Sequence, residues 1–70
     1  MNYKMFKALR SFHGHSQKSF AELLDVSESN IVMIEAGKRQ ITYGMKTKVA
    51  KRFDITPEFL EFYERISKLH

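Results

Sequence analysis

The stretch QKSFAELLDVSESNIVMIE, from Gln17 to Glu35, constrains this chain more than any other. Two short apolar-periodic segments flank a tight break at Asp25-Val26-Ser27. Phe20, Ala21 and Leu24 recur at helical spacing before it, and Ile31 and Ile34 after it. Val26, an apolar residue inside the break, lets both segments share one small core. Such a pattern predicts two helices meeting at a steep angle across a three- or four-residue turn. The second, from about Ser27 to Ala36, carries Glu28, Ser29, Val32 and Met33 on its outer face.

Signals on either side extend the helical pattern. Asn2 to Phe12 reads as a first helix, with Met5, Leu9 and Phe12 inward, Phe6 or His13 beside them, and Gly14 as a left-handed stop. Ser16 is the expected N-cap of helix two, where free N–H groups beside Gln17 and Lys18 favour an anion. Asp25 ends helix two, Ser27 caps helix three and Gly37 closes it. Helix four is expected from about Thr42 to Phe53, with Tyr43, Val49, Ala50 and Phe53 inward and Lys46 interrupting that stripe. Thr56-Pro57-Glu58 combines a hydroxyl cap, a proline at the first helical position and an acid in the first turn. It starts a fifth helix that runs to about Leu69.

The expectation is therefore an all-α, compact five-helix domain spanning 1–70, with its core in 3–55 and a C-terminal helix over 57–69. Seventy residues with 43% hydrophobic content can close one small core, burying roughly 60% of the unfolded chain's surface. With no cysteine, neither a disulfide nor a thiolate metal site is available to staple it. The N-terminus has lysines inside its apolar pattern, so neither a signal peptide nor a membrane span is expected, and the default location is cytoplasmic.

Charge points to a polyanionic partner. The net charge is +4, and its placement matters more than its sum. Lys38, Arg39, Lys46, Lys48, Lys51 and Arg52 occupy a segment without an acid, whereas Ser27 to Ala36 carries Glu28 and Glu35 and no base. Cations thus flank the outer face of helix three rather than sitting on it. That suits a surface entering the major groove of double-stranded DNA, gripped at the phosphates by its neighbours.

Gln17, Ala21, Val26-Ser27, Ile31 and Glu35-x-Gly37-Lys38-Arg39 together resemble the lambda-repressor-like, Cro/C1-type helix-turn-helix family, over about Lys7 to Ile55. The resemblance implies a DNA-binding transcriptional regulator, a repressor acting on a palindromic operator as a dimer. It implies base-reading positions at Glu28, Ser29 and Met33, with Val32 near them. Gln17 would touch a phosphate and buttress the reading helix. Lys38, Arg39 and Gln40, with the start of helix four, would meet the DNA backbone, to which Ser16, Lys18 and Lys46 add. Arg10 and Glu35 would form an internal salt bridge. The chain departs from the family pattern in three ways. Asp25 stands where the turn glycine is usual, Ile41 replaces the proline after the basic loop, and the reading face is acidic and apolar.

Helix five allows two readings. At about 100° per residue, Phe59, Phe62, Tyr63, Ile66 and Leu69 fill an arc of roughly 120°, enough for packing on the domain. Leu60 widens that arc and Tyr63 can bring its hydroxyl to the edge, which makes Phe59, Leu60 and Tyr63 candidates for a homodimer contact. Function also has a second reading: a protein-interaction module on the same fold, such as a co-regulator, antirepressor or antitoxin, using Val32, Met33 or helix five. No catalytic residues and no cofactor are expected. Ser27 and Ser29 with His13 or His15 lack a carboxylate-oriented base. His13-Gly14-His15 is half a metal site without an evident third ligand, His70 being terminal. Met5 and Met45 read as core filler.

Overall fold

Every helix of this chain begins on a polar side chain that accepts a hydrogen bond from a backbone N–H three residues on. Asn2 accepts from Met5, Ser16 from Ser19, Ser27 from Asn30, Thr42 from Met45, and Thr56 from Phe59. Each cap satisfies a donor that the first turn would leave orphaned and contributes about 1 kcal/mol. In the computed structural model, which describes residues 1–69, these caps start α1 (Tyr3–Phe12), α2 (Gln17–Leu24), α3 (Glu28–Glu35), α4 (Tyr43–Arg52) and α5 (Pro57–Ser67). The fold is all-α, with no strand among the described residues, and fits within 29 × 24 × 21 Å. His70, considered above as a metal ligand, lies outside the described residues.

The first three helices stop by one device. A residue at positive φ reverses the chain, and two N–H groups return to the last turn: Gly14 to Ser11 and His15 to Arg10, Asp25 to Glu22 and Val26 to Ala21, Gly37 to Ile34 and Lys38 to Met33. Glycine takes this conformation without steric cost, but Asp25 holds φ 57° and ψ 50° with a Cβ in place. The turn survives because its neighbours over-determine it. Val26 packs against the core, and Lys48 of α4 donates to the Asp25 carbonyl oxygen at 3.2 Å.

The core is Phe6, Ala8, Leu9, Phe20, Ala21, Leu24, Ile31, Ile34, Met45, Val49 and Phe59. Its composition corrects three expected faces. In α1 the buried side is Phe6, Ala8 and Leu9, not Met5, Leu9 and Phe12. The helix is packed by both α3 and α5, so a second flank is covered and Ala8 is drawn in. Phe12 instead lies at the edge, its ring 5.5 Å from that of Phe59 and 5.2 Å from that of Phe62.

In α4 the inward stripe is Met45, Val49 and half-buried Phe53, at successive fourth positions, so Lys46 interrupts nothing. Tyr43 is 86% exposed and Ala50 is also outside. In α5 only Phe59 is fully buried, with Phe62, Tyr63 and Ile66 packed partly against the core. The helix ends at Ser67, so Leu69 leaves the helical arc and is 82% exposed.

Replacing Asp25 by glycine should relieve the left-handed strain and stabilise the fold by about 0.5–1 kcal/mol after the entropy cost of glycine, or roughly 4–8 °C per kcal/mol in the melting midpoint at this size. Thermal unfolding followed by circular dichroism checks this; an unchanged or lower midpoint would show that the turn is not strained.

Candidate nucleic-acid interface

α2 and α3 are the most intimately packed pair of helices. Ala21 is small enough to let them approach, while Phe20, Leu24, Ile31 and Ile34 fill the angle between them. With its inner face occupied by Ile31 and Ile34, α3 leaves Glu28, Ser29 and Val32 exposed and Met33 half-buried on the other side. Val32 is 40% exposed, an apolar surface set between polar neighbours. Ser27 and Ser29 lie at the start of α3 with their hydroxyl oxygens 3.2 Å apart.

The back of α3 is held by charge. Arg10 of α1 donates from Nε to Glu35 Oε2 at 2.7 Å and from Nη2 to Oε1 at 2.9 Å, a two-point pair of fixed orientation. Its Nη1 donates to the carbonyl of His15 at 2.9 Å, and Gln17 Nε2 donates to Glu35 Oε1 at 3.2 Å. Side chains from α1 and α2 therefore converge on one carboxylate of α3. The Glu35 side chain is only 3% exposed, which removes it from any role on the outer surface. The Gln17 amide is thereby tied to the carboxylate at the C-terminal end of α3.

The expected backbone-contacting residues are spread around α3. Ser16 caps α2, with Lys18 exposed in the first turn. Lys38, Arg39 and Gln40 are exposed after the α3 stop, and with Lys46 they line a cleft of about 440 Å³ that also includes Tyr3 and Gly37. Arg39 does not hang free. Its Nη1 donates to Asn30 Oδ1 at 2.9 Å, which lays the guanidinium along the flank of α3. Asn30 was not singled out by sequence reasoning. Its position on α3 was legible, but a partner nine residues away across an irregular turn leaves no periodic signal.

Among the expected homodimer residues, Phe59 is corrected. It is fully buried beneath α1 and has no surface for a partner. Leu60 is 45% exposed and Tyr63 half-buried. His13 and His15 belong to an aromatic cluster. The His13 ring lies 4.5 Å from Phe53, and His15 Nδ1 is 3.1 Å from Ser19 Oγ. Among the described residues no helix is long and apolar enough to cross a membrane.

Chemically, this surface can accept from a base amino group at Glu28, offer hydroxyls at Ser29, and cover thymine methyls with Val32 and Met33. Positive charge available to an anion lies outside α3, at the exposed Lys18, Lys38, Arg39 and Lys46. Compared with known families, residues 6–60, most of the chain, match a helix-turn-helix family model. No curated protein and no solved structure matches the chain.

Truncating one member of the buried pair, as in Glu35→Ala, strands the other charge and should cost about 3 kcal/mol, whereas replacing both by apolar residues of similar volume (Arg10→Met with Glu35→Leu) should recover most of that loss. Urea unfolding of the single and double variants provides the comparison. Additive losses would mean the pair is not coupled as its geometry requires.

Proposed function

The chain belongs to the Cro/C1-type helix-turn-helix family of DNA-binding transcription regulators, and from that premise we propose that it is a sequence-specific repressor that binds an approximately palindromic operator as a homodimer. One observation carries this reading: α3 presents a neutral-to-acidic outer face, buttressed from behind by Arg10 and Gln17 through Glu35, with Arg39 laid along its flank and Lys38, Arg39 and Lys46 gathered in the basic cleft that follows it in the chain. A reader lying in the major groove needs shape and hydrogen-bonding edges, while the cations are needed where the phosphates pass.

On this reading Glu28 accepts from a cytosine amino group, Ser29 serves either a base edge or a phosphate, and Val32 and Met33 meet thymine methyls. Lys38, Arg39, Gln40 and Lys46 grip the backbone on one side, and the capped N-terminus of α2 with Ser16, Gln17 and Lys18 does so on the other. Asn30 supports the grip by holding Arg39 against α3. Two such heads set one helical turn apart, about 34–36 Å, would match a two-fold operator. The dimer contact falls to Leu60 and Tyr63 of α5, which keep surface after Phe59 is committed to the core. No catalytic role or cofactor enters this reading, and the site of action is where the DNA is, in the cytoplasm.

A second reading is supported by the same apolar exposure. Val32 on α3 and Leu60 on α5 could seat another polypeptide, making the chain a co-regulator, antirepressor or antitoxin on the same fold. The two readings separate on salt. Counterion release makes DNA affinity fall with salt by a log–log slope of about 0.9 per phosphate contact, and a partner bound through valine and leucine shows no such slope.

The double change Lys38→Ala with Arg39→Ala should weaken binding to every duplex and reduce the salt slope by about 2. Asn30→Ala should weaken binding with little change in slope, because it removes a positioning group and no charge. Glu28→Gln should instead change the preferred sequence. Selection of bound sites from random duplexes, followed by salt titration, reads all three. An untouched slope in the double variant would refute the backbone assignment. Leu60→Asp should shift sedimentation toward the monomer, and an unchanged assembly state would remove α5 from the dimer contact.

A further inference from the structure

A second cleft lies on a different side of α1, between it and α5, with a volume of about 560 Å³. Its apolar lining comes from Ala8, Tyr63 and Ile66, and Lys4 and Lys7 stand on its α1 wall. Both lysines are exposed, and neither is in an ion pair among the described residues. Among the described residues Glu35 is the one acid that lines the cleft, and its carboxylate oxygens are already taken by Arg10 and Gln17. The cleft therefore combines an apolar surface with positive charge that no described residue lining it neutralises.

We propose that this α1–α5 cleft binds a small organic acid with an apolar body and one anionic head, the body against Ala8, Tyr63 and Ile66 and the head toward Lys4 and Lys7. The size falls within the about 300–1,000 Å³ of sites that enclose small molecules. The lysine pair sets the sign of the ligand's charge. An anionic head placed there gains the attraction of both ammonium groups, a cationic one meets their repulsion, and a neutral one gains nothing from them.

The position gives such a ligand a route to α3. Tyr3 lines this cleft and also the basic cleft of Lys38, Arg39 and Lys46. Its ring lies over the turn that ends α3, where a Cβ added to Gly37 would sit 3.6 Å from it. Glu35, on the cleft's other wall, is the group that fixes Arg10 and Gln17 behind α3. A ligand there would lie beside two residues that adjoin the end of α3, and binding there does not itself depend on what α3 contacts.

The test titrates the full chain with anilinonaphthalene sulfonate, an aromatic body with one acid group, at low salt. Fluorescence and backbone amide shifts are followed together. The expected result is saturable one-to-one binding, with shifts clustered at Ala8, Tyr63 and Ile66 and reaching Gly37. The charge reversal Lys4→Glu with Lys7→Glu should weaken it about tenfold, while Lys51→Glu with Arg52→Glu, the same charge change elsewhere on the surface, should weaken it no more than about twofold. Equal weakening by both double variants, shifts centred on Lys38 to Lys46, or no saturable binding would each overturn the proposal. None of these outcomes depends on whether the protein binds DNA.

Discussion

The buried pairing of Arg10 with Glu35 is the interaction on which the rest of the arrangement depends. Glu35 sits in the last turn of α3, Arg10 in the last turn of α1, and Gln17 at the first residue of α2. One carboxylate therefore joins three helices that apolar packing alone would leave free to slide. Desolvating two charges is expensive, and such a pair adds less to stability than its geometry suggests. Its directional bonds do something a leucine cannot: they lock the rotation of α3 that Ile31 and Ile34 choose by packing inward.

That rotation has a consequence for how attraction is distributed. The outer face of α3 carries Glu28, Ser29, Val32 and Met33 and no cation, while the positive charge lies after the Gly37 stop and along α4. Hydrogen-bonding and apolar groups on α3 are thus separated in space from the positive charge. Arg39 links the two, since it belongs to the basic loop but is hydrogen-bonded to Asn30 on α3. A long cation fixed in this way loses less rotamer freedom when it meets an anion than one left in solvent.

How far the sequence could be read depended on the range of each signal. Caps and stops are local, so Ser16, Ser27, Thr56, Gly14 and Gly37 were legible, and every helix was placed to within two residues. Asp25 was legible as a turn in spite of its Cβ, because the apolar periodicity changes phase across it. The helical faces were harder. Met5 against Phe6, or Tyr43 against Met45, differ by a rotation of α1 or α4 that periodicity alone does not fix when apolar residues occupy both candidate stripes. The Asn30–Arg39 bond and the α1–α5 cleft left no trace at all in the pattern.

By itself, the order of residues determined five helices, three of them with a legible N-cap, the sharp turn between the second and third, and the segregation of basic residues away from α3. These follow from interactions within three or four positions, where the backbone's own geometry supplies the partner. Only the tertiary structure decided that Ala8 is buried and Tyr43 is not, that Phe59 is core rather than surface, and that Arg39 lies along α3. Each of those outcomes depends on which helix covers which flank, and the area of contact between distant segments is settled only when all of them compete for the same small core.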